Sequence, residues 1–313
     1  MKNAKILTIL VLSLAALVAF PPLAIAAGSL EPSAPPGPVM KSLDEVEPRI
    51  PIKASNLPLT ITQRGSYYLT QDVNFTDTAH NAITVECNDV TIDLMGYAIT
   101  GPNSTSYHGI YMNGRTNVEI RNGTVRDFMN GVKENLSSKG HRVINIRAVS
   151  NSDTGIYLNG MSHLIKDCTA VENGSGIYAN AGSTVTGNTA SYNGGYGIFA
   201  WGGCMVTGNT AAYNTGDGIY VATGNSVTDN VCCVNGANGD GAGIHVALAS
   251  GNRVEGNCVM GNDRGIDVDG PNNLIVKNSA VSNTVEYDIV GGNKVGTIST
   301  DPTTANAWAN FDY

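Results

Sequence analysis

Over 313 residues the chain carries 18 basic against 26 acidic side chains, a formal net charge of −8. A phosphate backbone demands a basic surface, so this balance excludes a nucleic-acid partner and weighs against a strongly anionic polymer. One groove can still differ in charge from the whole, so local patches are judged on their own residues.

The chain opens with Lys2 and Lys5, then an apolar run from Ile6 to Phe20, then Ala24-Ile25-Ala26. This order predicts a secretory signal peptide over 1–26 with cleavage after Ala26. The apolar run is short for a bilayer span. The mature chain is therefore expected to be secreted, periplasmic or at the cell surface, with no stable membrane span. Residues 27–56 form a leader, with six prolines between 28 and 51, a composition that stays extended. Ser42-Leu43-Asp44-Glu45 has capping-box spacing and predicts one helical turn before Pro48.

From residue 57 to 108 two stretches, "TITQRGSYYLTQDV" and "NAITVECNDVTIDLMGYAITG", read as an N-terminal cap with opening coils. A repeat then runs over 109–290. A glycine recurs at Gly109, Gly131, Gly155, Gly176, Gly197, Gly218, Gly243 and Gly265, in steps of 22, 24, 21, 21, 21, 25 and 22 residues. A ninth, degenerate unit starts near Tyr287. A period of this length means a solenoid. Within each unit the first run alternates (Ile177 inward, Tyr178 outward, Ala179 small, Asn180 outward), which is a strand with one face inside. A second run centres on Val118, Val143, Ile165, Val185, Val206, Val227, Val254 and Ile275. The leucine skeleton of leucine-rich repeats is absent, so a parallel β-helix with one coil per unit is the expectation.

Two asparagine columns support that register. One holds Asn188, Asn209, Asn230, Asn257 and Asn278. The other holds Asn130, Asn151, Asn173, Asn193, Asn214, Asn235, Asn262 and Asn283. Asparagines stacked in register bond to one another and to corner backbone groups, which makes them scaffold. The Gly-Ile-Tyr, Val-Thr-Gly-Asn and Tyr-Asn pattern resembles the right-handed parallel β-helix repeat of the pectate-lyase-like superfamily, with the texture of periplasmic β-helix accessory proteins. The resemblance spans about residues 58–290 and implies an all-β, right-handed, single-stranded parallel β-helix of about nine coils with caps at both ends. The scaffold hosts lyases, hydrolases, epimerases, tailspikes and non-catalytic proteins, so it leaves activity open. The tail at 291–313 is expected to cover the last coil with Trp308 and Phe311, since an exposed terminal strand recruits other chains.

Two residues after each repeat glycine lies an outward column: Tyr111, Lys133, Tyr157, Tyr178, Phe199, Tyr220, His245 and Asp267. A parallel column two residues further includes Asn113, Asn135, Asn159, Asn180, Trp201 and Asp269. Coils repeat at roughly 4.8 Å, close to the length of a sugar ring. Tyr111, Lys133, Tyr157, Tyr178, Phe199 and Trp201 are thus candidate contacts for an extended glycan, aromatic faces stacking on sugar rings. Mutual stacking of the column is the competing structural reading.

Near its C-terminal end the strip becomes polar. Attack on a uronate polymer needs a cation, a base and an acid, and Arg264, His245 and Tyr220 are the candidates in that order. Alternatively, Asp267 and Asp269 share one face with Cα atoms about 7 Å apart, a pair suited to glycoside hydrolysis. Asp217 adjoins this group. Lys133, Glu134, His141, Arg142 and Arg147 are read as a second, basic cluster in the long turn of the coil at Gly131.

No cofactor or metal ligand set is expected. The insertion "NGANGDGAG" at 235–243 offers one carboxylate, Asp240, and lacks a calcium repeat, so calcium there has weak support. The cysteines at 87, 168, 204, 232, 233 and 258 show no metal spacing and are read as buried small hydrophobes or as disulfide partners. The paired arginines of pectate lyases, the Asn-Thr-Asp and Gly-His-Gly of polygalacturonases and the Asp-Pro-His of alginate epimerases are all missing. Two functions remain: a polysaccharide binder with or without lyase or hydrolase activity, and a non-catalytic binding or structural module.

Overall fold

The computed structural model describes residues 47–103, 106–135, 138–236, 239 and 241–313. The expected signal peptide, the helical turn expected at 42–45 and Asp240 lie outside them. Among the described residues there is no α-helix, only a 3-10 turn at Ala54–Asn56.

The chain winds into a right-handed parallel β-helix. One sheet has eleven strands, from Leu59–Ile61 through Ile110–Met112, Ser175–Ala179 and Ala242–Val246 to Val285–Ile289. Every neighbouring pair is parallel, and coil matches coil residue for residue: Ile177 beside Ile198, Tyr178 beside Phe199, Ala179 beside Ala200. At the usual inter-strand spacing eleven rungs extend over roughly 50 Å. The remaining two runs of each coil, such as Thr184–Thr186 and Thr189–Ser191, build the second sheet. Strand Ile50–Ile52 pairs with Gly65–Leu69, so regular structure begins inside the stretch read as leader.

The inward columns form one narrow core. Ile156, Ile177, Ile198, Ile219, Ile244 and Ile266 are fully buried, as is the valine column of the second sheet. The corners explain the rest of the repeat. Asn188 follows Gly187 and Asn193 follows Tyr192, both in the left-handed region, and the pattern recurs down the coils. Where asparagine follows asparagine in a column, the Oδ1 accepts two hydrogen bonds from the preceding coil. Asn214 Oδ1 takes the Asn193 backbone N–H at 3.1 Å and its Nδ2 at 2.9 Å, while Asn214 Nδ2 donates to Asn235 Oδ1 and to the Ala190 carbonyl. The opening glycine is demanded by the same ladder: a Cβ on Gly197 would lie 2.6 Å from Asn214 Nδ2 and from the Gly218 carbonyl.

Both predicted ladders are present, with one exception. Asn130 is out of line and bonds Asp153 and the Thr154 carbonyl, and the Phe128 backbone N–H takes its place opposite Asn151. A third ladder was not anticipated. It runs through His141, His163 and Ser183 and, past Cys204, through Asn225, Asn252, Asn273 and Asn293.

At the C-terminal end, strand Asn310–Asp312 pairs with Ser279–Val281, and Asn310 Oδ1 accepts the backbone and side-chain N–H groups of Asn278. Closure therefore falls to Ala309 and Asn310, both buried. Trp308, expected as the cap, is exposed with the Lys277 ammonium 4.6 Å from its ring centre. All six cysteines are free; Cys168, Cys204 and Cys232 are buried as small core residues, whereas Cys87, Cys233 and Cys258 are partly exposed.

Candidate functional site

In-register pairing lines up Tyr111, Lys133, Tyr157, Tyr178, Phe199, Tyr220, His245, Asp267 and Asp288 along one face of the rod. Ring centres are 4.4 Å apart for Tyr157–Tyr178, 4.8 Å for Tyr178–Phe199 and 5.0 Å for Phe199–Tyr220, with the ring planes nearly parallel in each pair. The Lys133 ammonium caps the stack 3.3 Å from the Tyr157 centre. These ring faces are turned to one another. What the ladder offers a ligand is ring edges and hydroxyls, not the open platforms expected for sugar stacking. Beside it, Trp201 and Tyr196 are exposed and packed against Phe199. The side-chain amides of Asn135 and Asn180 reach Tyr111 and Asn159, giving a polar margin.

The sequence-predicted catalytic residues converge where the aromatic column ends. Asp217 is buried; its Oδ1 accepts the Ala242 N–H at 2.6 Å and its Oδ2 lies 3.1 Å from His245 Nδ1. His245 Nε2 lies 3.2 Å from Asp269, and the ring meets Tyr220 edge-on at 4.9 Å. Arg264 is 3.6 Å from Asp267 and 3.2 Å from Asp288. Burial works against a charged His245, but the hydrogen bonds and charge of Asp217, with Asp269 and Asp267, outweigh it and lift the pKa to about 9. An imidazolium held at both nitrogens is a cation at neutral pH and does not suit the role of base first read for it. Burial pushes the Asp267 carboxyl above its ordinary range against the pull of His245 and Arg264. Burial also raises the Tyr220 hydroxyl, helped by Tyr196 and Asp217. Asp288 and Tyr196 were missed by sequence reasoning; Asp288 sits in the unit whose opening glycine is lost.

The second, basic cluster does not exist. Lys133 belongs to the ladder, and Glu134 and His141 are interior. Arg142 and Arg147 lie on the other sheet, with Glu119 and Thr124.

Fold and site together define a right-handed parallel β-helix protein with an outward aromatic ladder that ends in a His–Asp–Arg cluster. The chain matches the family described as periplasmic copper-binding protein (NosD) over residues 81–310. It belongs to that family. Among solved structures it is similar to the Dettilon tailspike protein gp208, at 14% identity and a TM-score of 0.60 over 84% of this chain. The chain spans only 60% of that tailspike. It is also similar to the A-module of the mannuronan C-5 epimerase AlgE4 of Azotobacter vinelandii, at 12% identity and a TM-score of 0.55, covering 80% of this chain and 89% of the module. Likeness at these identities is likeness of fold. No curated protein matches the chain.

The family description raises copper, and three sets of side chains can be tested against it. In the interior, His141 Nε2, His163 Nε2 and Glu134 Oε1 have no hydrogen-bond partner. Yet each histidine Nδ1 accepts a backbone N–H, from Val118 and from His141, at 3.1 Å. Burial keeps both rings neutral, so each proton sits on Nε2 and no lone pair there is free for a metal. At the ladder's end, ligand atoms of His245, Asp267 and Asp269 lie within 4.8 Å of one another. That set is rich in carboxylate oxygen, which suits harder ions than Cu(I). Thiolate and thioether donors suit Cu(I), and Cys233, Cys258 and Met260 share the outer face of adjacent strands.

Proposed function

We propose that the protein is an exported polysaccharide binder that lays an extended, uncharged glycan along the ladder face. The observation that carries this reading is the unbroken outward column from Lys133 to Tyr220, flanked by exposed Trp201 and Tyr196 and by the amides of Asn135, Asn159 and Asn180, that ends in the cluster of Tyr220, His245, Asp267, Asp269 and Arg264. Trp201 and Tyr196 supply the exposed ring surface on which sugars pack. Arg264 already faces Asp267 and Asp288, and the cluster holds more carboxylates than cations, so it favours neutral over uronate chains. The family's periplasmic description and the basic–apolar–small order of residues 1–26 support export. Among the described residues no helix is long and apolar enough to cross a membrane.

The test is a panel of neutral and acidic polysaccharides, with binding followed by affinity electrophoresis and calorimetry. Retardation by a neutral polymer that Trp201→Ala weakens at least fivefold is expected. No retardation by any polymer, with folded protein, refutes the proposal. A second reading is favoured by the closeness of the Asp267 and Asp269 carboxylates and the raised pKa of the former: hydrolysis with retention of configuration, Asp267 as acid and Asp269 as nucleophile. It requires new reducing ends without ultraviolet absorbance from unsaturated sugars, abolished in Asp269→Asn.

A further inference from the structure

The C-terminal tail helps to build a pocket on the second sheet, away from the aromatic ladder. In strand Leu274–Val276 the buried Ile275 points inward, so alternation turns Leu274 and Val276 outward. Register then sets Leu274 between Arg253 of the preceding coil and Lys294 of the next. At the usual inter-strand spacing the two cationic residues stand roughly 10 Å apart, with the leucine as floor between them. Val276, Val295 and Trp308 complete a pocket of about 500 Å³ that opens to solvent. That volume holds a small organic molecule.

Trp308 is fixed in this wall by its backbone. Its N–H donates to Asn306 Oδ1 at 2.8 Å, and its carbonyl passes so close to Gly296 that no Cβ would fit there. Ala309 and Asn310, next in the chain, are buried. The indole nevertheless stays 54% exposed, with the Lys277 ammonium 4.6 Å from its ring centre. A large ring kept in water by a pinned backbone is a contact surface, not a plug. The polar groups narrow what it contacts. Asn293 is fully engaged: its Oδ1 accepts two Asn273 N–H groups, and its Nδ2 donates to the Gly270 and Val290 carbonyls. The lining has no other side-chain amide and no hydroxyl, so the hydroxyls of a sugar would lose water there without replacement partners. Glu255 pairs with both Arg253 and Lys277. The Lys294 ammonium has no ion-pair or hydrogen-bond partner among the described residues. Three cations thus stand with one carboxylate, on a chain whose net charge is −8.

We propose that this pocket binds a small anionic amphiphile, its flat apolar body against Trp308, Leu274 and Val276 and its one acidic group paired with Lys294. The two requirements are separable: the apolar walls recognise the body, and the ammonium recognises the charge. Lys294 is exposed, so its share of the affinity falls as salt is raised. The site does not depend on the glycan reading.

The experiment titrates the full mature chain with two dyes, anilinonaphthalene sulfonate and phenylnaphthylamine, which carry the same rings with and without the anion. Dye fluorescence and energy transfer from tryptophan are the readouts. Saturable binding of one equivalent of the sulfonate is the expected result. Lys294→Met should weaken the sulfonate about tenfold and leave the uncharged dye unchanged, as loss of one charge-assisted contact requires. Trp308→Ala should weaken both dyes at least about fivefold through lost apolar contact. Met205→Ala removes an exposed apolar side chain elsewhere on the same sheet and should change neither. Circular dichroism verifies the fold of each variant, and Lys294→Met, at an exposed position, keeps the test decisive if Trp308→Ala unfolds the tail. No saturable uptake of the sulfonate, sulfonate binding indifferent to Lys294→Met, or equal losses on Met205→Ala and Trp308→Ala would each overturn the proposal.

Discussion

The charge on His245 makes a pH-dependent contribution to stability that can be sized from the structure. In the unfolded chain the imidazole titrates near 6.5; in the folded protein the Asp217 and Asp269 carboxylates hold its pKa at about 9. The native state therefore binds this proton more tightly than the unfolded state. Its contribution is complete below pH 6.5 and is lost as the pH rises through 9. The difference corresponds to about 3 kcal/mol. The His245 side chain is 20% exposed, so solvent screening removes only part of it. Replacing His245 with Gln keeps much of the shape and removes the titration. Urea unfolding of both proteins at pH 6 and pH 10 isolates the effect, because titrations they share cancel in the difference. The stability advantage of the wild type should shrink by 2–3 kcal/mol between those values. A difference that stays constant, or grows toward alkaline pH, would refute the assignment of His245 as a half-buried imidazolium.

Asn214→Ala removes the acceptor for two Asn193 donors and the partner of the Ala190 carbonyl. Leaving these buried groups unpaired should cost about 3–5 kcal/mol in urea unfolding, and a loss below about 1 kcal/mol would mean that the ladder is not structural. Lys133→Met takes away the cation over Tyr157 and should cost about 1 kcal/mol by the same measurement, with the loss insensitive to salt. Deletion of 176–196 removes one 21-residue coil and joins Ser175 to Gly197, so Tyr157 comes to stack on Phe199. That variant should fold, with unchanged circular dichroism per residue and a lower affinity for long glycans; loss of folding would show that coils are not interchangeable.

The scaffold was legible because its columns repeat in identity as well as in position. Glycine at each opening, isoleucine behind it and asparagine at two corners are each demanded by one local geometry, and few residues satisfy it. The third ladder was hidden because its upper coils use His141, His163 and Ser183, and a backbone N–H donates equally well to any of these. Asn310 was hidden by spacing, since 32 residues separate it from Asn278, while an aromatic near the terminus looked like a cap. The convergence at His245 followed from period arithmetic, but its protonation did not. That depends on Asp217, whose side chain is turned by the Ala242 N–H toward the ring.

The inward columns and the outward columns obey different constraints, and this locates the chemistry. An inward residue touches the coils above and below within a core one side chain wide, so a change there must be matched on both sides. An outward residue is limited only by its neighbours on the same face. Variation accumulates outward at little cost to the fold. Between Gly218 and Asp288 the aromatic column gives way to His245, Asp267 and Asp288, an insertion lengthens one coil, and Cys233, Cys258 and Met260 replace the small polar residues of the third run. All of this happens while Ile219, Ile244 and Ile266 continue the buried column without a break. Two surfaces of one short stretch of rod have thus departed from the repeat while the core beneath has not. A drifting, unselected surface would scatter such departures over all coils and sides. Here they are grouped by chemistry: carboxylates around one imidazole on the first sheet, sulfur on the second.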